Sequence, residues 1–190
     1  MKIGIIDCGG ANLNSIYYSF KRMNIETYIS NSLSELKKMD AFILPGVGTA
    51  GVVMNKLKEN NLINLIQETT KPTLGICIGM QILFDYSEED NTNCLGIIEG
   101  RVKKLKPNKD IKVPQMGWNK VITNEDNIGG YYYFANSYYT DNDEYAIGHS
   151  YYGKKFNSIV KKDNFFGCQF HPEKSSDIGE KFIKNFINLV

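Results

Sequence analysis

Only two histidines, His149 and His171, occur in the 190 residues, so any chemistry that needs an imidazole must use one of them. The four cysteines, Cys8, Cys77, Cys94 and Cys168, form no CxxC pair and have no adjacent histidine. That argues against a zinc cage and against a disulfide framework, and no metal or other cofactor is expected. An excess of one charge is missing too. Lys plus Arg number 22 and Asp plus Glu 21, a formal charge of +1, far from the basic surplus that tracks phosphates, so nucleic acid is not an expected partner. The most apolar stretches, 41–54 and 73–84, are too short and too interrupted to cross roughly 30 Å of hydrocarbon, which excludes a helical membrane span. Residues 3–6, cut off by Asp7, are too few for the core of a signal peptide, and a cytosolic protein is expected. There is no internal repeat, low-complexity tract or long linker. The length fits one domain, residues 1–190, able to bury roughly 70% of its unfolded surface.

What is present is an alternation of short apolar runs with helical patterns. Residues 2–7 read as a strand, 14–23 as a helix with Ile16, Phe20 and Met23 at helical spacing, and 25–29 as a second strand. A short helix over 33–39, a buried strand over 41–44, helical turns between 53 and 69 broken near Asn60 and Asn61, and a buried strand over 73–76 follow. This β-α-β-α-β-α-β order predicts a mostly parallel sheet with helices on both faces, its functional groups beyond the carboxyl ends of the strands. After about Gly96 the runs become short, aromatic and β-branched: 101–105, 131–134, 145–152, 159–160 and 165–170. They predict an antiparallel extension that continues the sheet or packs on it. A closing helix over 177–189 follows Ser175 and Ser176, either of which is suited to cap it.

Gly75-Ile76-Cys77-Ile78-Gly79 lies between a buried strand and a helical pattern over 80–86, in the G-x-nucleophile-x-G form of a nucleophile elbow with cysteine in place of serine. The flanking glycines remove β-carbons that would clash in so strained a turn. The helix mouth would favour a thiolate, and the N–H of Ile78 would face a substrate oxyanion. The simpler alternative is a packed core cysteine. In Phe170-His171-Pro172-Glu173, residues two apart on extended chain point the same way, and Pro172 disfavours helix at His171. Glu173 would then orient the imidazole while His171 moves a proton; the alternative is a surface ion pair. His149 has no acidic residue within several positions and reads as structural or solvent-facing. From Gly46 to Gly51 the chain matches G-x-G-x-x-G, but the next strand ends in Cys77 and not in the acidic residue of a dinucleotide site. An oxyanion and substrate loop offering the amides of Val47 and Gly48 fits better than a plain turn or a phosphate cradle.

Together, Gly75-Ile76-Cys77-Ile78-Gly79-Met80-Gln81, Pro45-Gly46-Val47-Gly48 and Gln169-Phe170-His171-Pro172-Glu173-Lys174-Ser175 resemble the class I (triad) glutamine amidotransferases. More narrowly, Val113-Pro114-Gln115-Met116-Gly117-Trp118-Asn119 and Asn136-Ser137-Tyr138-Tyr139 resemble the glutaminase subunits of imidazole glycerol phosphate synthase. The resemblance runs from Ile3 to the C-terminal helix. It implies hydrolysis of L-glutamine in histidine biosynthesis and a heterodimer with a (β/α)8-barrel cyclase that receives the ammonia. It implies Cys77 as nucleophile, His171 as base and acid, Glu173 as orienting carboxylate, and the amides of Val47 or Gly48 and of Ile78 as oxyanion hole. Gly46, Gln81, Ser137 and Tyr138 match substrate-binding positions, and Met116, Trp118, Asn119 and Lys174 match the face turned to the cyclase. A core aromatic is the simpler alternative for Trp118.

Two positions depart from the pattern: the family often has His where this chain has Gln115 and Asn136. Neither belongs to the triad, but both flank the substrate or interface region. A paralogous subunit feeding ammonia to a sugar-amidating synthase of surface polysaccharide therefore stands as an alternative, as does a non-glutaminase relative of the same fold, chaperone-like or peptidase.

Overall fold

The computed structural model describes residues 1–9, 13–46, 48–125 and 127–188. The first half alternates strictly: β1 (Ile3–Ile6), α1 (Leu13–Arg22), β2 (Thr27–Ser30), α2 (Leu33–Leu36), β3 (Ala41–Leu44), α3 (Ala50–Glu59), α4 (Ile63–Gln67), β4 (Thr73–Ile76) and α5 (Ile78–Gln81). The second half is mostly strands: β5 (Phe84–Ser87), β6 (Thr92–Asn93), β7 (Ile98–Lys104), β8 (Gln115–Thr123), β9 (Gly130–Asn136), β10 (Tyr138–Tyr139), β11 (Ala146–Tyr151), β12 (Lys155–Lys162) and β13 (Phe165–Cys168), closed by α6 (Ser176–Ile187).

Among the described residues a nine-stranded sheet runs β2-β1-β3-β4-β13-β12-β11-β8-β9. Its first five strands are parallel and the last four antiparallel. This is the α/β architecture expected, a mostly parallel central sheet flanked by helices with an antiparallel extension. β1, β3 and β4 are buried at every position, as parallel strands covered on both faces must be. Leu13, Ile16 and Phe20 turn the apolar stripe of α1 inward, and Lys21 and Arg22 sit at its C-terminal, negative end.

Three expectations need correction. The helical pattern over 80–86 stops after one turn, and Phe84–Ser87 is a strand of a second sheet, β10-β7-β5-β6. β6, β8 and β10 form where the sequence pattern marks no strand. Ser175 holds the N-cap position of α6 but its side chain does not cap the helix: the hydroxyl donates to His171 O at 2.6 Å while accepting from the N–H of Tyr133 at 3.0 Å, and Ser176 has φ +51°.

Candidate functional site

The order of adjacent strands assembles the site. β3, β4 and β13 lie side by side, with Leu44 opposite Gly75 and Cys168 opposite Ile76. Chain leaving their carboxyl ends therefore delivers Gly46, Cys77 and Gln169-Phe170-His171 to neighbouring places, one strand spacing of about 4.8 Å apart. Cys77 has φ +54° and ψ −109°, a backbone conformation that a non-glycine residue keeps only when its surroundings dictate it. They do: the N–H of Cys77 donates to Cys168 O at 2.7 Å. A β-carbon on Gly79 would lie 1.9 Å from Leu44 O, and one on Gly46 would lie 2.2 Å from Ile76 O and 2.7 Å from both Cys77 Cβ and Ile78 N.

His171 is fixed from behind. Phe170 is fully buried, stacked on Tyr132 at 3.9 Å between ring centroids and edge-on to Phe182 at 5.0 Å. The N–H of His171 donates to Tyr133 O at 2.8 Å, and its carbonyl accepts the Ser175 hydroxyl. The pairing with Glu173 is present, His171 Nδ1 to Glu173 Oε1 at 2.9 Å, but its geometry differs from the extended one expected. Pro172–Lys174 is a turn of 3₁₀ helix, which folds the carboxylate back onto the ring. Burial of the imidazole favours its neutral form. Hydrogen bonds and charge from Cys77 and Glu173 outweigh that and raise its pKa to about 10. The single turn of α5 carries little of the macrodipole expected for a longer helix; the positive charge beside the sulfur belongs to His171. The other cysteines are held as thiols, Cys8 and Cys94 pushed up to about 12 chiefly by burial and Cys168 well above its ordinary value for the same reason.

A cavity of about 290 Å³ opens over Cys77 and His171, lined also by Gly46, Gly48, Ile78, Gln81, Glu89, Pro114, Met116 and 135–138. The structure thus brings together Gly46, Gly48, Cys77, Ile78, Gln81, Ser137, Tyr138, Met116 and His171. Val47 lies outside the described residues. Gln81 is buried, its Nε2 2.9 Å from Gln169 Oε1 and 3.3 Å from Tyr138 O, and the Nε2 of Gln169 is 3.7 Å from Cys77 Sγ. The Oε1 of Gln81 has no hydrogen-bond partner among the described residues.

Glu89 belongs to no motif in the sequence. Half-buried on the cavity wall, it accepts the N–H of Ala50 at 2.8 Å, and burial raises its pKa. Its carboxylate stands where an anion would sit on the first turn of α3, which removes the phosphate-cradle reading of residues 46–51. Burial raises the Tyr138 hydroxyl pKa, aided by Glu89, Asp90 and Glu88, so this wall of the cavity is electronegative.

His149 stays away from Cys77. Its Nε2 is 3.1 Å from Asp143 Oδ1, an acidic partner six positions back that the local spacing does not mark. Trp118 is not a core residue: it is 55% exposed and Met116 63%. Both project from one face of β8, Trp118 edge-on to Tyr133 at 6.4 Å, with Lys174 Nζ 5.9 Å from the same ring. Asn119 is on the opposite face by strand alternation, its amide donating to Tyr151 O at 3.0 Å. Among the described residues no helix is long and apolar enough to cross a membrane.

A family model described as glutamine amidotransferase class-I matches residues 4–189. The chain is 46% identical over 191 residues to the Campylobacter jejuni protein named imidazole glycerol phosphate synthase subunit HisH 2, covering 98% of each. It is 41% identical over 197 residues to the subunit HisH of Haemophilus influenzae, covering 100% of this chain and 98% of that one. A solved structure titled "Crystal structure of glutamine amidotransferase" superposes with a TM-score of 0.79 at 16% identity, covering 98% of this chain and 97% of the other, a likeness of fold. By its sequence over nearly its whole length, this chain belongs to the class-I glutamine amidotransferase family.

Proposed function

We propose that this chain is the glutaminase subunit of a cytoplasmic imidazole glycerol phosphate synthase heterodimer, a single amidotransferase domain over 1–190 that passes ammonia to a (β/α)8-barrel cyclase in histidine biosynthesis. The observation that carries the catalytic part is the strained Cys77, backed by His171 and Glu173, opening on a cavity that Gln81 also lines. Full-length identity to subunits named HisH supports this reading over the sugar-amidating paralogue and the non-glutaminase scaffold.

In the first step Cys77 Sγ attacks the side-chain amide carbon of L-glutamine, and the thiol proton resides on His171. The developing oxyanion is met by the N–H of Ile78 and by that of Gly48. His171 then gives its proton to the amide nitrogen as the C–N bond breaks, releasing ammonia and leaving a γ-glutamyl thioester. Water, losing a proton to His171, attacks the thioester; the C–S bond breaks and glutamate leaves. Glu173 holds the ring in the required tautomer. Gln81, Glu89, Ser137 and Tyr138 hold the amino-acid end of the substrate.

The direct test is release of glutamate from L-glutamine by the purified chain, alone and with the barrel cyclase. Gly46→Ala is expected to lower the rate by about 10²- to 10³-fold, since the new β-carbon meets Ile78 N at 2.7 Å and disturbs an oxyanion donor. An unaltered rate places the oxyanion hole elsewhere.

The partner face is assigned to Met116 and Trp118 with Lys174, Asn119 anchoring the strand that bears them. Trp118→Ala or Lys174→Glu is expected to weaken the heterodimer about tenfold or more. Glutamine-dependent synthesis falls in step, while synthesis driven by added ammonium salt persists. Equal loss with both nitrogen sources, or unchanged affinity in both variants, contradicts this placement.

A further inference from the structure

We propose that the side-chain amide of Gln169 is a catalytic hydrogen-bond donor to the sulfur of Cys77, its N–H aimed at that atom by a relay of amides anchored on a backbone carbonyl. This rests on the reading of Cys77 as nucleophile made above. Gln169 follows β13 directly, its backbone N–H donating to Ser158 O at 2.9 Å, and is fully buried. It does not line the cavity, so it meets the sulfur from inside the protein and leaves the cavity side open to substrate. Each end of its amide has a partner: Nε2 is 3.7 Å from Cys77 Sγ, and Oε1 is 2.9 Å from Gln81 Nε2.

A carboxamide can face either way, and the far end of the relay decides which. Tyr138 O is a backbone carbonyl and can only accept. The end of Gln81 that meets it at 3.3 Å is therefore the nitrogen. The same nitrogen meets Gln169, so the Gln169 atom facing it is the oxygen, which leaves the Gln169 nitrogen for the sulfur. Turned over, Gln169 would set N–H against N–H at Gln81 and a carbonyl oxygen against Sγ. The direction matters because other groups compete for the sulfur. Ala135 O, 3.9 Å away, can only accept and so favours the thiol. His171 and Gln169 bring N–H groups, which favour the thiolate. His171 passes its proton to the leaving nitrogen during the cycle, whereas the Gln169 N–H is never transferred. Its hydrogen bond is therefore in place each time the sulfur carries charge: before attack on the amide carbon, and again when the C–S bond of the thioester breaks.

The experiment measures alkylation of Cys77 by iodoacetamide at neutral pH, read by peptide mass spectrometry, beside glutamine turnover in the complex with the barrel cyclase. Gln169→Met fills a similar space without a donor, and Gln169→Glu keeps an oxygen for Gln81 but sets a carboxyl against the sulfur. Both are expected to slow alkylation about tenfold or more, the scale of one hydrogen bond to a charged group, with kcat falling in step. Alkylation at the unsubstituted rate in both variants overturns the proposal. Loss of turnover with alkylation unchanged overturns it too, since a purely structural role would give that result. Should Gln169→Met fail to fold, Gln169→Glu, which is nearly isosteric, decides by the same two readings. Alkylation needs no glutamine, so the two readings fail separately: a complex that releases no glutamate, with alkylation slowed in both variants, overturns the glutaminase reading alone.

Discussion

Cys77→Ala is expected to reduce glutamine hydrolysis by roughly five to six orders of magnitude, the scale at which removal of a catalytic nucleophile leaves only binding and oxyanion contributions. The fold should survive. Cys77 is buried but contributes one small side chain, and its backbone is held by Cys168 O and by the close approach of Gly46 and Gly79. Alanine at Cys8, Cys94 or Cys168 should leave activity in place, since burial keeps all three protonated and none lines the cavity. Thermal melts and glutamate release on the same four variants check both halves. Activity in Cys77→Ala comparable to that of the other three would remove the thioester from the mechanism.

His171→Ala is expected to cost nearly as much as loss of Cys77, and Glu173→Gln roughly one to two orders less, because members of one catalytic unit are not additive and the orienting carboxylate is the most dispensable. The charge on His171 makes a second, independent demand. Burial opposes its protonation; Cys77 and Glu173 overcome that and raise the pKa to about 10. A histidine whose folded pKa exceeds its unfolded value of about 6.5 favours the fold below that value, and the contribution is lost as pH rises through about 10. Glu173→Gln removes one of the two groups that raise it, so the His171 titration should move to lower pH. NMR titration of the ring in both proteins reads the shift directly, and an unmoved curve would sever Glu173 from His171.

Much of this was legible in the chain because parallel strands write plainly. The runs at 41–44 and 73–76 are buried on both faces and bounded by turn residues, and the structure returns them unchanged. Cys77 and His171 follow from that, since whatever leaves adjacent carboxyl ends must meet. β8 was hidden for a physical reason. Its alternation is inverted: Gln115 points inward while Met116, Trp118 and Ile122 are exposed, so the pattern that marks a strand was reversed by residues facing outward. The stretch after Cys77 misled in the other direction. Met80, Leu83 and Phe84 have helical spacing, yet the helix ends at Gln81 and Phe84 enters the second sheet, paired with Ile98. Glu89 and the Ser175 clamp on His171 were out of reach because each acts on a partner about 40 positions away: Glu89 on Ala50, Ser175 on Tyr133. No local spacing records such contacts.

The central claim is a covalent one, that the γ-glutamyl group of L-glutamine is carried by the sulfur of Cys77. Acid quenching of the enzyme during turnover, followed by peptide mass spectrometry, tests it most directly. One γ-glutamyl adduct is expected on the peptide holding Cys77, accumulating when water attack is slowed in Glu173→Gln. An adduct on Cys94 or Cys168, or steady glutamate release with none on Cys77, would contradict it.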